Sequence, residues 1–320
     1  MNDAKQLAQS ARTWRADQMP PQSGRTVVVT GGNSGLGFET VKVFARKGAR
    51  TVLACRDLPR GRDARERIWA ETPDAPIEVI RLDVASLGSI QQFVDEFRAK
   101  HDRLDCLVNN AGVMATPRRA TADGFELQFG TNHLGHFALT GLLLDSLLAV
   151  PQSRVVTVSS AVERFGAIRF ADLHGERSYD RWAAYGQSKL ANLLFAYELQ
   201  RKLTLIHSTT LSVAAHPGFA ATGLRADLMQ HERSWLHRTM GNIFESWSQS
   251  ASMGALPQLY AATAPGVRGG EYYGPNGFLE RAGFPQRLRS SGRSYDPELA
   301  QRLWDVSADL TSVRYKALAS

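Results

Sequence analysis

From Thr26 onward, short β-branched runs alternate with helical stretches of ten or more residues, and this alternation constrains the fold more than any other feature. The strand-like runs fall at 26–30, 51–55, 77–82, 104–108, 154–158 and 210–214, and they are mostly apolar. Strands lacking a polar face are buried on both sides, as in parallel sheets covered by helices. Helices are expected at about 35–47, 60–71, 86–100, 123–149 and 185–203. Right-handed crossovers between such strands produce an α/β fold, a single doubly wound parallel sheet with helices on both faces.

The first strand runs into Thr30-Gly31-Gly32-Asn33-Ser34-Gly35-Leu36-Gly37 and then into the first helix. Glycines are needed where a turn has φ > 0 and where backbone must approach a pyrophosphate, which then meets the helix N-terminus. A glycine triplet between a clean strand and a clean helix is the dinucleotide-binding (Rossmann) signature. No Gly-Lys-Ser/Thr follows, so this is not a P-loop. Gly31, Asn33, Ser34, Gly35, Leu36 and Gly37 are the candidate phosphate-side residues. An acid at the end of the second strand would mark NAD(H). Cys55 stands there instead, followed by Arg56. A guanidinium suits a 2′-phosphate, so NADP(H) is preferred over NAD(H), with Asp57 a neighbour able to offset Arg56.

Composition sets the outer bounds. The 320 residues are 43% hydrophobic and 22% charged, which fits one globular domain with a sizeable core. Residues 1–24 read as an N-terminal arm, with Trp14 and Pro20–Pro21 suggesting that it lies against the body, and 25–320 as a single dinucleotide-binding domain. After His216 the alternation breaks. Residues 217–268, rich in Gly, Ala, Arg and aromatics, read as a substrate lid after the sixth strand; 269–275 could supply a last strand; 276–320 form a C-terminal extension with a helix near 297–310. There is no apolar run of about 18 residues and no signal-peptide core in 1–22, so a cytoplasmic protein without integral membrane association is expected. Cys55 and Cys106 cannot form a disulfide scaffold or a multi-cysteine metal site. The net charge of +7 comes without nucleic-acid motifs, so no nucleic-acid partner is expected.

Tyr185-Gly186-Gln187-Ser188-Lys189 opens the helix expected at 185–203 and places Tyr185 and Lys189 on one face. A free phenol has a pKa of about 10, and a nearby ammonium favours the phenolate. The pair can therefore exchange a proton with an alcohol or carbonyl oxygen. Upstream, Val155-Val156-Thr157-Val158-Ser159-Ser160 is a buried strand ending in two hydroxyls, at the end of the sheet where ligands bind.

The ordered set Gly31/Gly35/Gly37, Leu82-Asp83-Val84, Asn109-Asn110-Ala111-Gly112, Asn132, Ser160, Tyr185, Lys189 and Pro217-Gly218 resembles the short-chain dehydrogenase/reductase family over roughly 26–275. Leu53-Ala54-Cys55-Arg56, the run from Gln128 to Phe137 and the run from Tyr185 to Asn192 resemble its retinol-dehydrogenase-like branch, which includes the WW-domain-containing oxidoreductase and bacterial enzymes. The resemblance implies Tyr185 as general acid/base, Lys189 lowering its pKa and binding the nicotinamide ribose, and Ser160 polarising the substrate oxygen. It implies Asn132 holding a relay water, Asp83 and Val84 at adenine, Asn109, Ala111 and Gly112 lining the cofactor cleft, and Pro217, Gly218 and Thr222 on the nicotinamide side. The implied activity is reversible hydride transfer between NADP(H) and a small lipophilic aldehyde, ketone or alcohol. The alternatives are C=C reduction, as in protochlorophyllide reductases, and a non-catalytic NADP(H)-binding protein.

The sequence departs from that branch in three ways. Ser160 and Tyr185 are separated by about twice the gap of the shortest members. Glu163 stands near the expected active-site mouth, which argues against a retinoid-like substrate. The membrane-anchoring helix of the animal retinol enzymes is not read in the N-terminal arm. Phe219, Leu224, Leu228, Met229, Trp235, Phe244 and Trp247 are the expected apolar lid residues. The long helices at 123–149 and 185–203 are those the family often pairs into homodimers or homotetramers.

Overall fold

The computed structural model describes residues 13–219 and 249–318. Eight strands form one sheet in the order β3-β2-β1-β4-β5-β6-β7-β8. They are β1 (Thr26–Thr30), β2 (Arg50–Cys55), β3 (Ile77–Arg81), β4 (Cys106–Asn109), β5 (Arg154–Val158), β6 (Leu211–Ala215), β7 (Tyr272–Pro275) and β8 (Pro285–Leu288). The pairs from β1 through β7 are parallel, and β8 runs antiparallel to β7. The helices are α1 (Gly35–Arg46), α2 (Leu58–Glu71), α3 (Leu87–Lys100), α4 (Gly135–Leu142), α5 (Leu144–Leu148), α6 (Arg181–Leu205), α7 (Leu256–Thr263) and α8 (Pro297–Thr311).

The valine-rich strands have the burial their composition dictates. All five residues of β1 are buried; Val27 and Val29 join the core beneath α1 and α7, while Val28 joins the core beneath α3, α4 and α6. This two-residue alternation divides one strand between two cores. Helix starts follow short polar caps: Asp57 accepts from Arg60 N, Ser86 from Ser89 N, Asp180 from Trp182 N and Ala183 N, and Asp296 from Glu298 N and Leu299 N. The order reverses between β1 and β4, and ligand crevices lie at such a switch point.

Four features differ from the sequence reading. Helix α6 begins at Arg181, so Tyr185 sits one turn inside it; Asp180 is the cap. The helix expected at 123–149 is segmented, with a π-helical turn (Gly130–Leu134) before α4 and a break at Leu143 before α5. A side chain at Gly135 would put its Cβ 2.0 Å from the Val84 carbonyl, so close packing against the loop after β3 requires glycine there. Strand β8 was not anticipated, because Pro285-Gln286-Arg287-Leu288 is a short polar edge strand opening on proline. Finally, α8 covers α4 and α6: Trp304 packs on Phe137, Phe195 and Tyr315, and Ser307 bonds the His133 imidazole at 2.8 Å. One side of these two helical stretches is thus covered by the chain's own C-terminal helix.

In the arm, Trp14 is buried edge-on against Tyr260 at 5.4 Å, and Gln22 N donates to Lys47 O.

Candidate active site

The turn after β1 is built for close backbone approach. Gly31 and Gly35 have φ of +67° and +54°, which favour glycine. An added Cβ on Gly37 would lie 2.2 Å from the Gly31 carbonyl oxygen. Gly31 N–H donates to Ala54 O, and the Asn110 side-chain amide donates to Thr30 O at 2.8 Å. Ser34, at the N-cap of α1, makes no side-chain capping bond, so the hydroxyl does not occupy the amides of the first turn. Asn33 is half-buried and Leu36 buried. These residues fit a pyrophosphate by shape and by helix polarity.

Arg56 is exposed just past β2, and among the described residues it makes no hydrogen bond or ion pair. Asp57 does not offset it; that carboxylate caps α2 and pairs with Arg60 at 3.7 Å. Asp83 is half-buried, accepting from Ala85 N and donating its own N–H to Ser89 Oγ, with Val84 buried beside it. Asn109 is fully buried and donates to Thr140 Oγ1 at 3.0 Å. The side chain that reaches the glycine turn is Asn110, which the sequence reading left unassigned. Gln258 was also missed: on α7, within the span read as the lid, it donates to Thr40 Oγ1 and Asn110 Oδ1, tying that helix to α1. Nothing in local sequence marks a contact across 218 positions.

At the carboxyl end of β5, Ser159 and Ser160 diverge. Ser159 Oγ donates to Lys189 O at 2.8 Å, binding the strand end to α6. Ser160 opens the 3-10 turn Ala161–Phe165 and faces the Tyr185 phenol. Lys189 Nζ lies 5.7 Å from the Tyr185 ring centre and donates to Val158 O at 3.2 Å. Gly112 closes the opposite side: a Cβ there would meet Asn132 Oδ1 at 3.0 Å and Lys189 Nζ at 3.7 Å. Asn132 sits in the π-helical turn, bonding Val113 through both side-chain ends and donating to Ser188 Oγ. Asn132, Ser160, Tyr185, Lys189 and Gly112 thus converge.

Burial pushes the Tyr185 phenol up to about 12, with Ser160 opposing the shift, and pulls Lys189 down to about 8. The sequence reading expected the ammonium to lower the phenol. Desolvation dominates instead, and Lys189 is engaged by the Val158 carbonyl.

Pro217 and Gly218 follow β6. Gly218 has φ of +66°, and Pro217 O accepts from Gln249 Nε2. Thr222 and the lid residues Leu224, Leu228, Met229, Trp235, Phe244 and Trp247 lie outside the described residues. Around the site, Phe165 and Phe278 are 85% and 82% exposed, and Trp182, Phe219 and Leu279 are exposed too. Trp182 stands edge-on to Tyr185, and Arg164 ties Phe165's turn to Glu280 beside Leu279. Glu163 is corrected: its carboxylate is buried and turned inward, accepting from Ser291 N and Ser291 Oγ, and does not charge the mouth.

A doubly wound sheet with a glycine-cradled switch point and a Ser-Tyr-Lys cluster at the strand ends defines a dinucleotide-dependent oxidoreductase. The short chain dehydrogenase model matches residues 25–233. The chain is 41% identical over 293 residues to human retinol dehydrogenase 13, covering 91% of this chain and 85% of that one. It is 39% identical over 295 residues to mouse retinol dehydrogenase 12, covering 92% and 88%. A crystal structure of an uncharacterised Mycobacterium paratuberculosis protein matches with 40% identity and a TM-score of 0.78, covering 95% of this chain and 99% of that one. Pseudomonas aeruginosa RhlG, in an NADP active-site complex, shares the fold at 22% identity and a TM-score of 0.62, covering 79% and 96%. This chain belongs to the short-chain dehydrogenase/reductase family, in its retinol-dehydrogenase-like branch. Among the described residues, no helix is long and apolar enough to cross a membrane.

Proposed function

We propose that the protein is an NADP(H)-dependent enzyme interconverting a lipophilic aldehyde or ketone and its alcohol. The observation that carries this reading is the convergence of Ser160, Tyr185 and Lys189 beside Gly112, at the strand ends that also carry the glycine turn. In this reading residues 25–320 act as one domain and 217–268 supply its substrate lid.

Gly31, Asn33, Ser34, Gly35, Leu36 and Gly37 would hold the pyrophosphate, and Asp83 and Val84 the adenine. Ala111, Gly112 and the Pro217-to-Thr222 segment would line the nicotinamide side, with Asn109 supporting the cleft from beneath. Arg56, exposed and without a competing partner among the described residues, would read a 2′-phosphate. When bound, the nicotinamide supplies or accepts the hydride. The protein's own residues do the rest. Ser160 and Tyr185 donate hydrogen bonds to the substrate oxygen where negative charge develops. Tyr185 gives its proton to that oxygen in reduction and takes it back in oxidation. Lys189 would hold the nicotinamide ribose and favour the Tyr185 phenolate, and a water held at Asn132 would carry the proton between Lys189 and solvent.

The exposed rings of Phe165, Trp182, Phe219 and Phe278 favour an apolar substrate. With Glu163 turned inward, the charge that argued against a retinoid is removed from the mouth. Retinaldehyde therefore belongs among the carbonyl compounds to be assayed, a choice the retinol dehydrogenase names of the relatives also favour.

Fluorescence titration tests the reading: NADPH should bind more tightly than NADH, and Arg56→Ala should erase the preference. Product analysis then separates the two chemistries, since an enal yields the unsaturated alcohol in this reading and the saturated carbonyl in C=C reduction. Binding without turnover on any carbonyl would support a regulatory protein.

A further inference from the structure

His136 lies in α4, fully buried, between Thr30 at the start of the glycine turn and the π-helical turn that carries Asn132. Its Nδ1 is 3.0 Å from the Asn132 carbonyl oxygen, and its Nε2 is 2.9 Å from Thr30 Oγ1. A carbonyl only accepts, so Nδ1 carries the proton. Nε2 then accepts, and the Thr30 hydroxyl donates to it in preference to the more distant Val108 O at 3.3 Å. Thr30 Oγ1 in turn accepts the backbone N–H groups of Asn110 and Ala111, each at 2.9 Å. On the other side, Asn132 donates to Ser188 Oγ at 2.9 Å, and Ser188 Oγ donates to the carbonyl of Tyr185 itself at 2.8 Å. Every donor and acceptor in this chain is matched with a single tautomer of one histidine.

We propose that His136 is a positioning residue that couples the cofactor turn to the proton-relay side of the active site, Nε2 fixing Thr30 and Nδ1 fixing the Asn132 carbonyl. This deepens the function proposed above and rests on it. The imidazole holds one lone pair of the carbonyl that the π-helical turn presents, so it orients that oxygen for whatever it binds next. Burial lowers the imidazole to about 4, which keeps it neutral and the tautomer fixed at working pH. A neutral ring is required: a cation would carry a proton on Nε2 and reverse the Thr30 bond. The charged group facing it is Lys189, which disfavours a second proton, and His133 is the other titratable ring on the same helical run.

The two nitrogens can be tested separately. In His136→Asn the amide nitrogen takes the Nδ1 position, keeping the Asn132 bond and losing Thr30. In His136→Gln the amide reaches the Nε2 position, keeping Thr30 and losing Asn132. His136→Asn should weaken NADPH binding about tenfold, the worth of one hydrogen bond, with kcat near wild type. His136→Gln should bind NADPH as wild type does and lose about tenfold in kcat. Thermal melts on the same samples establish that both fold. Parallel loss of binding and turnover in both variants, or no change in either, overturns the proposal. Imidazole ¹⁵N NMR of the wild type gives a test independent of activity. A neutral ring protonated at Nδ1 is expected; protonation at Nε2, or a cation at neutral pH, overturns the hydrogen-bond chain. If the wild type binds no NADPH, the cofactor reading fails, and the NMR result still decides the chain.

Discussion

The Lys189 ammonium donates to the carbonyl of Val158, 3.2 Å away, at the end of the strand that delivers Ser160. It is therefore a buried charge on a sheet terminus, and Tyr185 beside it stays a neutral phenol. Lys189 is held at about 8, below the 10.5 of the exposed group, so the unfolded chain binds its proton more tightly. Stability from this group should rise as pH climbs from 8 toward 10.5. Tyr185 is raised from 10 to about 12, so its contribution is present below pH 10 and is lost as pH rises through 12. Urea midpoints from pH 7 to 10 on wild type and Lys189→Met measure the first effect. The variant should lack the rise; an identical slope would contradict the burial argument.

Two buried imidazoles set the acid limit. His133 is held at about 3 and His136 at about 4, both by burial. Both stay neutral in the fold while the unfolded chain takes up protons below about 6.5. Stability should therefore fall as pH drops below 6.5, by at most about 1.4 kcal/mol per pH unit for each histidine until the folded values are reached. His133→Gln cannot titrate and retains an amide directed at Ser307. Its denaturation midpoint should fall less steeply from pH 6.5 to 4.5 than that of wild type.

Gly37→Ala should fold yet lose nucleotide binding. Its Cβ would stand 2.2 Å from the Gly31 carbonyl, a backbone atom without rotamer freedom, so the turn must open. Isothermal titration with NADPH should show a loss of at least about tenfold, since misplacing one charge-assisted phosphate contact costs that much. Unchanged affinity would remove the turn from the cofactor site.

Helix α8 limits which side of α4 and α6 is open to association. It lies over α4 and α6 through Trp304 and Ser307, so association through that face requires α8 to leave it. Light scattering should find no dimer built on that face, and cross-links engineered at α6 should not join two chains. Trp304→Ala should cost about 3–5 kcal/mol, the usual range for removing a buried tryptophan. A variant that dimerises through α6 without loss of stability would contradict this packing.

Much of this was legible because strand chemistry is local. Val27-Val28-Val29 announces a strand buried on both faces, and the glycine turn announces itself by residue type alone. What escaped was long-range. Glu163 reads as a surface acid until Ser291, 128 positions away, is seen to cap it. Gln258 and His136 carry no local signal, because their meaning lies in Thr40, Asn110, Thr30 and Asn132. The π-helical turn before α4 was hidden by the helical period of its residues; only the close approach of Val84 O explains Gly135. The capping aspartate Asp180 is a local signal for a helix start at Arg181, which sets Tyr185 inside α6 rather than at its start.

In the proposed reaction Tyr185 donates the proton to a carbonyl oxygen. Single-turnover oxidation of bound NADPH by a lipophilic aldehyde, in wild type and Tyr185→Phe with NADPH affinity measured on the same samples, tests it most directly. Equal affinity is expected, with a rate lower by about 10²–10⁴-fold in the variant, the range for losing a general acid. A Tyr185→Phe enzyme that binds NADPH and turns over at the wild-type rate would contradict it.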